Sequence, residues 1–241
     1  MELDSYSEKR ISNFKERSLF NDCKEGYRLL DYDIRLIYAG KSTAYKFIKR
    51  SFDIIASLIA LIALSPVFLL TAIAIKLEDG GPVIFAAERY GKDMIPFQMY
   101  KFRSMCVDAE EKLKDIITEK DKNGLAYKIA NDPRITKVGH FIRKTSIDEL
   151  PQLINIIRGD MSIVGPRPIA FTDKEKNDYE LQRYIVRPGL TCYWQISGRA
   201  SVPWDEWVEM DLQYIENMSI KEDFKIILKT LPAAIKGDGA S

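Results

Sequence analysis

The sequence predicts an α+β protein, mainly helical. After an N-terminal extension comes a helix-break-helix that dips into a membrane, and a soluble domain with a small β-hairpin or sheet follows. Three observations predict this. Residues Ile54–Ile75 form a run of 22 uncharged residues interrupted by Ser65-Pro66. Short β-prone runs with turn residues between them fill 80–105. The remaining soluble stretches carry helical periodicity.

Residues 1–44 are charged and weakly periodic and read as an N-terminal helical extension. Residues 45–77 form an interfacial and membrane unit, in which "KSTAYKFIKRSFD" supplies a basic, aromatic approach to the apolar run. A straight helix over that run would reach ~33 Å, enough to cross a bilayer. Pro66 argues against a straight helix, because a proline inside a helix removes a hydrogen bond and clashes with the preceding turn, at about 3 kcal/mol. Ser65 is placed to bond a freed carbonyl. Basic residues flank both ends: Lys41, Lys46, Lys49 and Arg50 before, Lys76, Arg89 and Lys92 after. The compact first cluster marks the cytoplasmic side. A crossing helix would put everything after Lys76 outside; a re-entrant one keeps both ends inside, as the basic flanks favour.

Residues 78–241 are the soluble domain. "GGPVIFAAERYGKDMIPFQMYKFRSM" reads as strands or a hairpin, and "VDAEEKLKDIITEKDK" as a polar helix. "TSIDELPQLINIIRGD" reads as an amphipathic helix with Leu150, Leu153, Ile154 and Ile157 on one face, stopped near Gly159. "DEWVEMDLQYIENM" and "IKEDFKIILKTLPAAIK" read as two further helices.

Composition excludes several function classes. Net charge is +1, so nothing global points to nucleic acid. Cys23, Cys106 and Cys192 are far apart and form no CxxC, so neither a zinc site nor a disulfide framework is indicated. The single histidine, His140, sits beside cations in "VGHFIRK" with no orienting carboxylate nearby in sequence, and reads as a surface or packing residue. Neither a Walker A motif nor GxGxxG is present.

The chain offers instead cations on stiff backbone. Arg167 lies in "GPRP", Arg187 in "RPG", Arg199 in "SGR", Lys101 and Arg103 in "YKFRS", and Arg134 in "NDPRIT". Arg143 stands just before the acidic pair Asp148-Glu149. Singly each is an ordinary surface ion-pair former. Together, on rigid turns of one domain, they suit a diphosphate, because guanidinium groups bind phosphate oxygens in a bidentate fork. Asp148-Glu149 has two readings. Ser146 and Glu149 fit a capping box at a helix start. Alternatively, a carboxylate kept ionised by Arg143, Lys144 and the helix N-terminus can attack phosphorus or hold a metal. Glu209 and Asp211 form a further acid pair whose ordinary reading is a solvated helix face. Asp31 and Asp33 form an Asp-x-Asp of the kind some glycosyltransferases use for a metal, but no alternating βα pattern surrounds it.

The motifs "KRSFDIIASLIALIALSPVFLL", "PVIFAAERYGKDMIPFQMYKFRSM", "NDPRITKVGHFIRKTSIDELPQLINIIRGDMSIVGPRP" and "YIVRPGLTCYWQISGRASVPWDEWVEMDLQYI" closely resemble, in this order, the bacterial sugar transferase family of monotopic polyprenyl-phosphate phosphoglycosyl transferases. The resemblance runs from about Tyr45 to Ser241. It implies a re-entrant helix broken at Ser65 and Pro66, and a cytosolic catalytic domain at the bacterial inner membrane. It implies transfer of a sugar 1-phosphate from a UDP-sugar to polyprenyl (undecaprenyl) phosphate with release of UMP, as the first membrane step of exopolysaccharide, capsule or O-antigen type glycan synthesis. It makes Asp148 the nucleophile of a covalent phosphosugar step and Glu149 its partner for the incoming lipid phosphate. Mg²⁺ would be held by Asp148 and Glu149, with Asp211 nearby. Lys101, Arg103, Arg143, Arg167, Arg187 and Arg199 would face substrate phosphates. Self-association into a homo-oligomer is compatible with all of this. Many family members have glycine where Cys192 stands, and the sugar is left open, with "CYWQISGR" closer to hexose-1-phosphate transferases. Two competing readings make distinct predictions. A direct-displacement glycosyltransferase using Asp31 and Asp33 would release nucleoside diphosphate. A non-catalytic glycan-assembly factor would be indifferent to Asp148→Asn.

Overall fold

In the computed structural model, helix α1 (Ile34–Gly40) leads into α2 (Thr43–Ala63) and α3 (Ser65–Asp79), and residues 34–116, 132–169, 178–197 and 202–236 are described. Ser42 starts α2 by accepting the Tyr45 N–H through Oγ at 3.1 Å, as N-cap serines do. Pro66 stops it. Proline suits the first turn of a new helix, where its missing N–H leaves nothing unpaired, so α3 restarts at Ser65, and Ser65 Oγ donates to the Ile62 carbonyl at 2.8 Å. The pair bends by 61°. No single described helix is long and apolar enough to cross a membrane, but this pair taken together is. Its outer surface is bare hydrocarbon: Ile62 is 75% exposed and Leu77 82%, with Ile55, Ile59, Leu69 and Leu70 also exposed.

Both ends of the pair are fastened to the same body of the protein. At the start, Arg50 donates from Nη1 to the Ile156 carbonyl at 2.6 Å and from Nη2 to the Ile157 carbonyl at 2.9 Å. Buried Asp53 accepts from Ser162 Oγ at 2.8 Å and Ile163 N at 3.1 Å, and Lys49 pairs with Asp223 at 2.8 Å. Part of the basic segment expected to lie at a membrane interface is thus spent on internal docking, because the open C-terminal carbonyls of a helix attract cations. At the far end, Glu78 accepts from the backbone N–H of Lys137 at 2.7 Å, Asp79 forms a bidentate ion pair with Arg103, and Ile75 is buried with Phe102 and Ile142.

The expected hairpin forms: β1 (Ile84–Tyr90) pairs antiparallel with β2 (Pro96–Phe102), from Ile84 opposite Phe102 to Tyr90 opposite Pro96. Ala87 and Met99 meet on its buried side and pack with Leu153, Ile156 and Met161. Helix α4 (Ala109–Ile116) covers the described start of the expected polar helix. Helix α5 (Lys137–Lys144) follows, with Thr136 accepting the Gly139 N–H at 2.9 Å.

The expected helix over 145–160 is shorter. Residues Ile147–Glu149 form one 3₁₀ turn, and α6 spans only Gln152–Arg158. The expected apolar stripe is also rotated. Leu153 and Ile156 are buried, whereas Ile154 is 40% exposed. Asn155 sets the rotation: buried, it accepts the Tyr100 N–H at 2.9 Å and donates to the Gln98 carbonyl at 2.7 Å, tying α6 to the hairpin edge.

A second sheet, which no local pattern predicts, joins β3 (Ser162–Val164) to β4 (Gly189–Thr191) in parallel. Gly165 and Gly189 allow it: a Cβ on Gly189 would lie 2.1 Å from the Gly165 backbone N, so only glycine lets the GPRP and RPG loops touch. The short helices α7 (Asp178–Leu181) and α8 (Tyr193–Ile196) come before and after β4 in the chain. The last two helices stand as expected, α9 (Trp204–Asn217) and α10 (Ile220–Lys236). All described residues fall in one compact unit.

Candidate active site

The site is assembled at the junction of the hairpin, α5 and the GPRP loop. Helix α5 is pressed against the end of β2 because residue 139 is glycine; a Cβ there would lie 2.0 Å from the Ser104 carbonyl oxygen. This close approach lets Arg143 Nε donate to Ser104 Oγ at 2.8 Å. The chain then reverses at Ser146, whose φ of 56° is left-handed, an uncommon state for a residue with a Cβ. Asp148 and Glu149 occupy the 3₁₀ turn that follows.

The capping-box reading does not hold. The Ser146 side chain caps nothing. Glu149 turns away from the helix start: its Oε1 accepts from Lys101 Nζ at 2.9 Å and from Arg167 Nη2 at 2.6 Å. Arg167 also lies over the Trp194 ring at 5.4 Å, and Trp194 stacks on Trp207 with centroids 4.4 Å apart. A half-buried guanidinium held by a carboxylate and a ring face has little freedom left.

A cavity of about 890 Å³ opens in front of this group, lined by Lys101, Arg143, Asp148, Glu149, Arg167 and residues of β1 and α4 among others. Asp148 is 8% exposed. Burial pushes its carboxyl up to about 6, with Lys101 pulling it down and Glu149 pushing it further up. No described residue donates a hydrogen bond to it. Burial acts on Glu149 in the same direction, but Arg167 and Lys101 outweigh it and hold that carboxyl well below the usual range. Burial works against the Arg167 charge as well, and Glu149 more than offsets it. Adjacent carboxylates thus have opposite environments: two cations hold Glu149 in its ionised form, and Asp148 lines the cavity with no described hydrogen-bond donor.

The other expected residues divide. Arg103 lines the cavity but is committed to Asp79 and to the carbonyls of Pro82 and Met105. Arg134 also lines it, paired with Asp132 at 2.6 Å. Arg187 does not line it. Its Nε donates to the Gly159 carbonyl at 2.7 Å, because the close approach of the two glycines sends the side chain toward the end of α6. Asp211 does not join Asp148 and Glu149 either. It is buried and ion-paired with Arg183 beneath Trp204 and Trp207. Arg199, Asp31 and Asp33 lie outside the described residues. His140 and Glu209 are exposed, as their ordinary readings require. Cys192 is buried, with Sγ donating to Gln195 Oε1 at 3.5 Å. Arg89 is a site residue that sequence reasoning missed. It lines the cavity from β1, and only the alternation of the strand, Phe85, Ala87, Arg89, marks it.

Among the described residues, no three His, Cys, Asp or Glu side chains converge as a metal cage. Mg²⁺ does not need one. It is commonly held by one or two carboxylates completed by substrate phosphate and water, and the unsaturated Asp148 carboxylate facing a basic cavity fits that role, whereas Glu149 and Asp211 are engaged by cations.

The profile of a family described as bacterial sugar transferase matches residues 44–237. The chain is 42% identical over 242 residues to the galactosyl transferase CpsE of Streptococcus agalactiae serotype III (strain NEM316), covering 100% of this chain and 51% of that protein. It is 42% identical over 205 residues to the undecaprenyl-phosphate galactose phosphotransferase of Salmonella typhimurium, covering 81% of this chain and 42% of that one. It is 44% identical over 200 residues to the exopolysaccharide production protein ExoY of Rhizobium meliloti, covering 80% and 87%. The chain therefore spans about half the length of the first two and most of the third.

Proposed function

The chain belongs to the bacterial sugar transferase family, and from that premise we propose that it transfers a sugar 1-phosphate from a UDP-sugar to undecaprenyl phosphate, releasing UMP, through a phosphosugar carried on Asp148. The relatives named for galactose phosphotransfer and exopolysaccharide production support the substrate classes and a role in building surface glycans. One observation carries the mechanism: the Asp148 carboxylate faces a cationic cavity without a hydrogen-bond donor, while its neighbour Glu149 is saturated by Lys101 and Arg167.

In the first step a carboxylate oxygen of Asp148 bonds to the phosphorus bearing the sugar. The bond from that phosphorus to the bridging diphosphate oxygen breaks, and UMP leaves with the electron pair. In the second step an oxygen of the acceptor phosphate attacks the same phosphorus. The Asp148–phosphorus bond breaks, and the carboxylate is restored. Desolvation raises the nucleophilicity of Asp148. Glu149 fixes Lys101 and Arg167 where negative charge develops on the phosphoryl oxygens, which lowers both barriers. Mg²⁺ bound by Asp148 together with phosphate oxygens would add charge neutralisation at the donor.

The bent helix pair fits a monotopic anchor. Its exposed apolar surface suits lipid, and its two ends are fastened to one body, which a crossing would separate. Both ends then lie on the cytoplasmic face of the inner membrane, where UDP-sugars are found, and the acceptor phosphate meets Asp148 near the headgroups.

Incubation of the purified protein with Mg²⁺ and a panel of UDP-sugars, without acceptor, tests the reading by intact mass. A phosphosugar adduct that disappears in Asp148→Asn supports it and identifies the sugar. Acceptor-dependent UMP release with no adduct, even on rapid quench, overturns the two-step route in favour of direct transfer.

A further inference from the structure

Among the described residues, four of the six cations lining the cavity are ion-paired with carboxylates, and Arg143 and Arg89 are not. Lys101 and Arg167 are bound to Glu149, Arg103 to Asp79 and Arg134 to Asp132. Arg143 is hydrogen-bonded to Ser104 and feels the charges of Asp148 and Asp132. Arg89 also lines the cavity, but its hydrogen bond is to the carbonyl of Glu88, at 2.7 Å, and it forms no ion pair with a described carboxylate. The Glu88 carboxylate itself is no partner: alternation along β1 puts it on the opposite, exposed side of the strand.

The position of Arg89 is built, not incidental. Strand β1 is rigidly paired with β2, and Arg89 stands opposite Phe97 in the register. Ala87, next on the same face, is buried in the core that anchors α6. The side chain is half-buried, so its charge is partly removed from water. Burial first, and then the neighbouring Arg167, pulls its guanidinium below the usual range. Two guanidinium groups that repel each other across a cavity, one of them lacking a carboxylate, leave a place for an anion with several oxygens.

We infer that Arg89, together with Arg167, forms a phosphate-oxyanion subsite in the cavity, with Arg89 adding hydrogen bonds to those of Lys101 and Arg167, whose N–H groups are partly taken up by Glu149. This rests on the proposed reaction for its ligand class. Two substrates carry the same chemistry there, the diphosphate of the sugar nucleotide and the phosphate of the lipid acceptor.

Separating the half-reactions distinguishes these sources. Arg89→Ala, Arg89→Lys and wild type are compared for adduct formation with UDP-sugar alone, and for adduct discharge by undecaprenyl phosphate. Affinity for inorganic pyrophosphate is read in parallel from thermal-shift titration. Truncating a side chain that makes a charge-assisted hydrogen bond lowers affinity about tenfold to a hundredfold. If the UDP-sugar concentration for half-maximal adduct formation rises that much, and lysine restores part of it, Arg89 holds the donor. If adduct formation is unchanged and the acceptor KM rises, Arg89 holds the acceptor. Either result supports the subsite. Unchanged half-reactions and unchanged pyrophosphate affinity overturn it. So does an equal loss in every assay with a lowered Tm and no rescue by lysine, which marks a structural residue. Wild-type protein that binds pyrophosphate through Arg89 but forms no adduct keeps the subsite and removes the covalent mechanism.

Discussion

Arg167 donates to Oε1 of Glu149 at 2.6 Å, and the oxygen it reaches is the same one that Lys101 reaches at 2.9 Å. One carboxylate thereby positions two cations beside the unsaturated Asp148. Removing Arg167 has two consequences with known signs. It takes away a charge that stabilises the phosphoryl transition state, so Arg167→Ala is expected to lower the rate of UMP release about 10²–10³-fold. It also removes a charge that favours ionised Asp148, so the acidic limb of the surviving activity moves to higher pH. Arg167→Lys retains more activity but lacks the bidentate fork. An unchanged pH limb in Arg167→Ala would separate the two residues electrostatically.

Wild-type activity should show one acidic limb. Burial places the Asp148 carboxyl at about 6, so below that pH it is protonated and cannot attack phosphorus. Glu149 contributes no second limb, since Arg167 and Lys101 keep it ionised far below that range. The expected result is a kcat/KM that rises through about pH 5–7 and levels off. Measured by UMP release at constant ionic strength, activity already flat at about pH 4.5 would mean Asp148 titrates like an ordinary aspartate.

The same burial makes Asp148 a liability to the fold. Its pKa is about 6 when folded and about 3.9 when unfolded. The unfolded chain therefore gives up this proton more readily, and the stability penalty grows as pH rises from about 4 to 6, then stays constant. The gap corresponds to roughly 2–3 kcal/mol. Asp148→Asn, which carries no charge, is expected to have a higher Tm than wild type at about pH 7.5, without divalent ions, and an equal Tm near pH 4. A lower Tm for the variant at both pH values would show that the carboxylate is stabilising.

How much of this was legible in the sequence depends on how local each cause is. The hairpin, the helix break and the last two helices follow from alternation, proline and periodicity within each segment, and all are present. Lys101, Arg143, Asp148, Glu149 and Arg167 do line one cavity. What failed was non-local. The capping box looked sound until Lys101 and Arg167, from other elements, took Glu149. Arg187 resembled Arg167 in its proline-flanked setting, but the close approach of Gly165 to Gly189 turns it toward Gly159. Asp211 is claimed by Arg183, a pairing no spacing signals. Arg89 reads as one of the basic residues that follow the apolar run until the hairpin sets its face.

The bent helix pair gives a last expectation, on topology. A run of 22 uncharged residues reaches across a bilayer as one straight helix, and the 61° bend at Ser65-Pro66 is the geometry of either a broken span or a re-entrant loop. Arg50 and Asp53 hold its start, and Glu78 and Asp79 hold its end, against the same body. Moving the end to the other side would strip buried Arg103 of its partner Asp79, and an unpaired buried charge costs several kcal/mol. Exposed Ala44 precedes the pair and exposed Asp205 follows it. Single cysteines at these positions, in a chain with Cys23, Cys106 and Cys192 replaced by serine, are expected to react with a membrane-impermeant maleimide from the same face of sealed vesicles. A cysteine at Leu69 should react from neither. Labelling of Ala44→Cys and Asp205→Cys from opposite faces would require a crossing segment, and the fastenings at Arg50 and Glu78 could not then both be made.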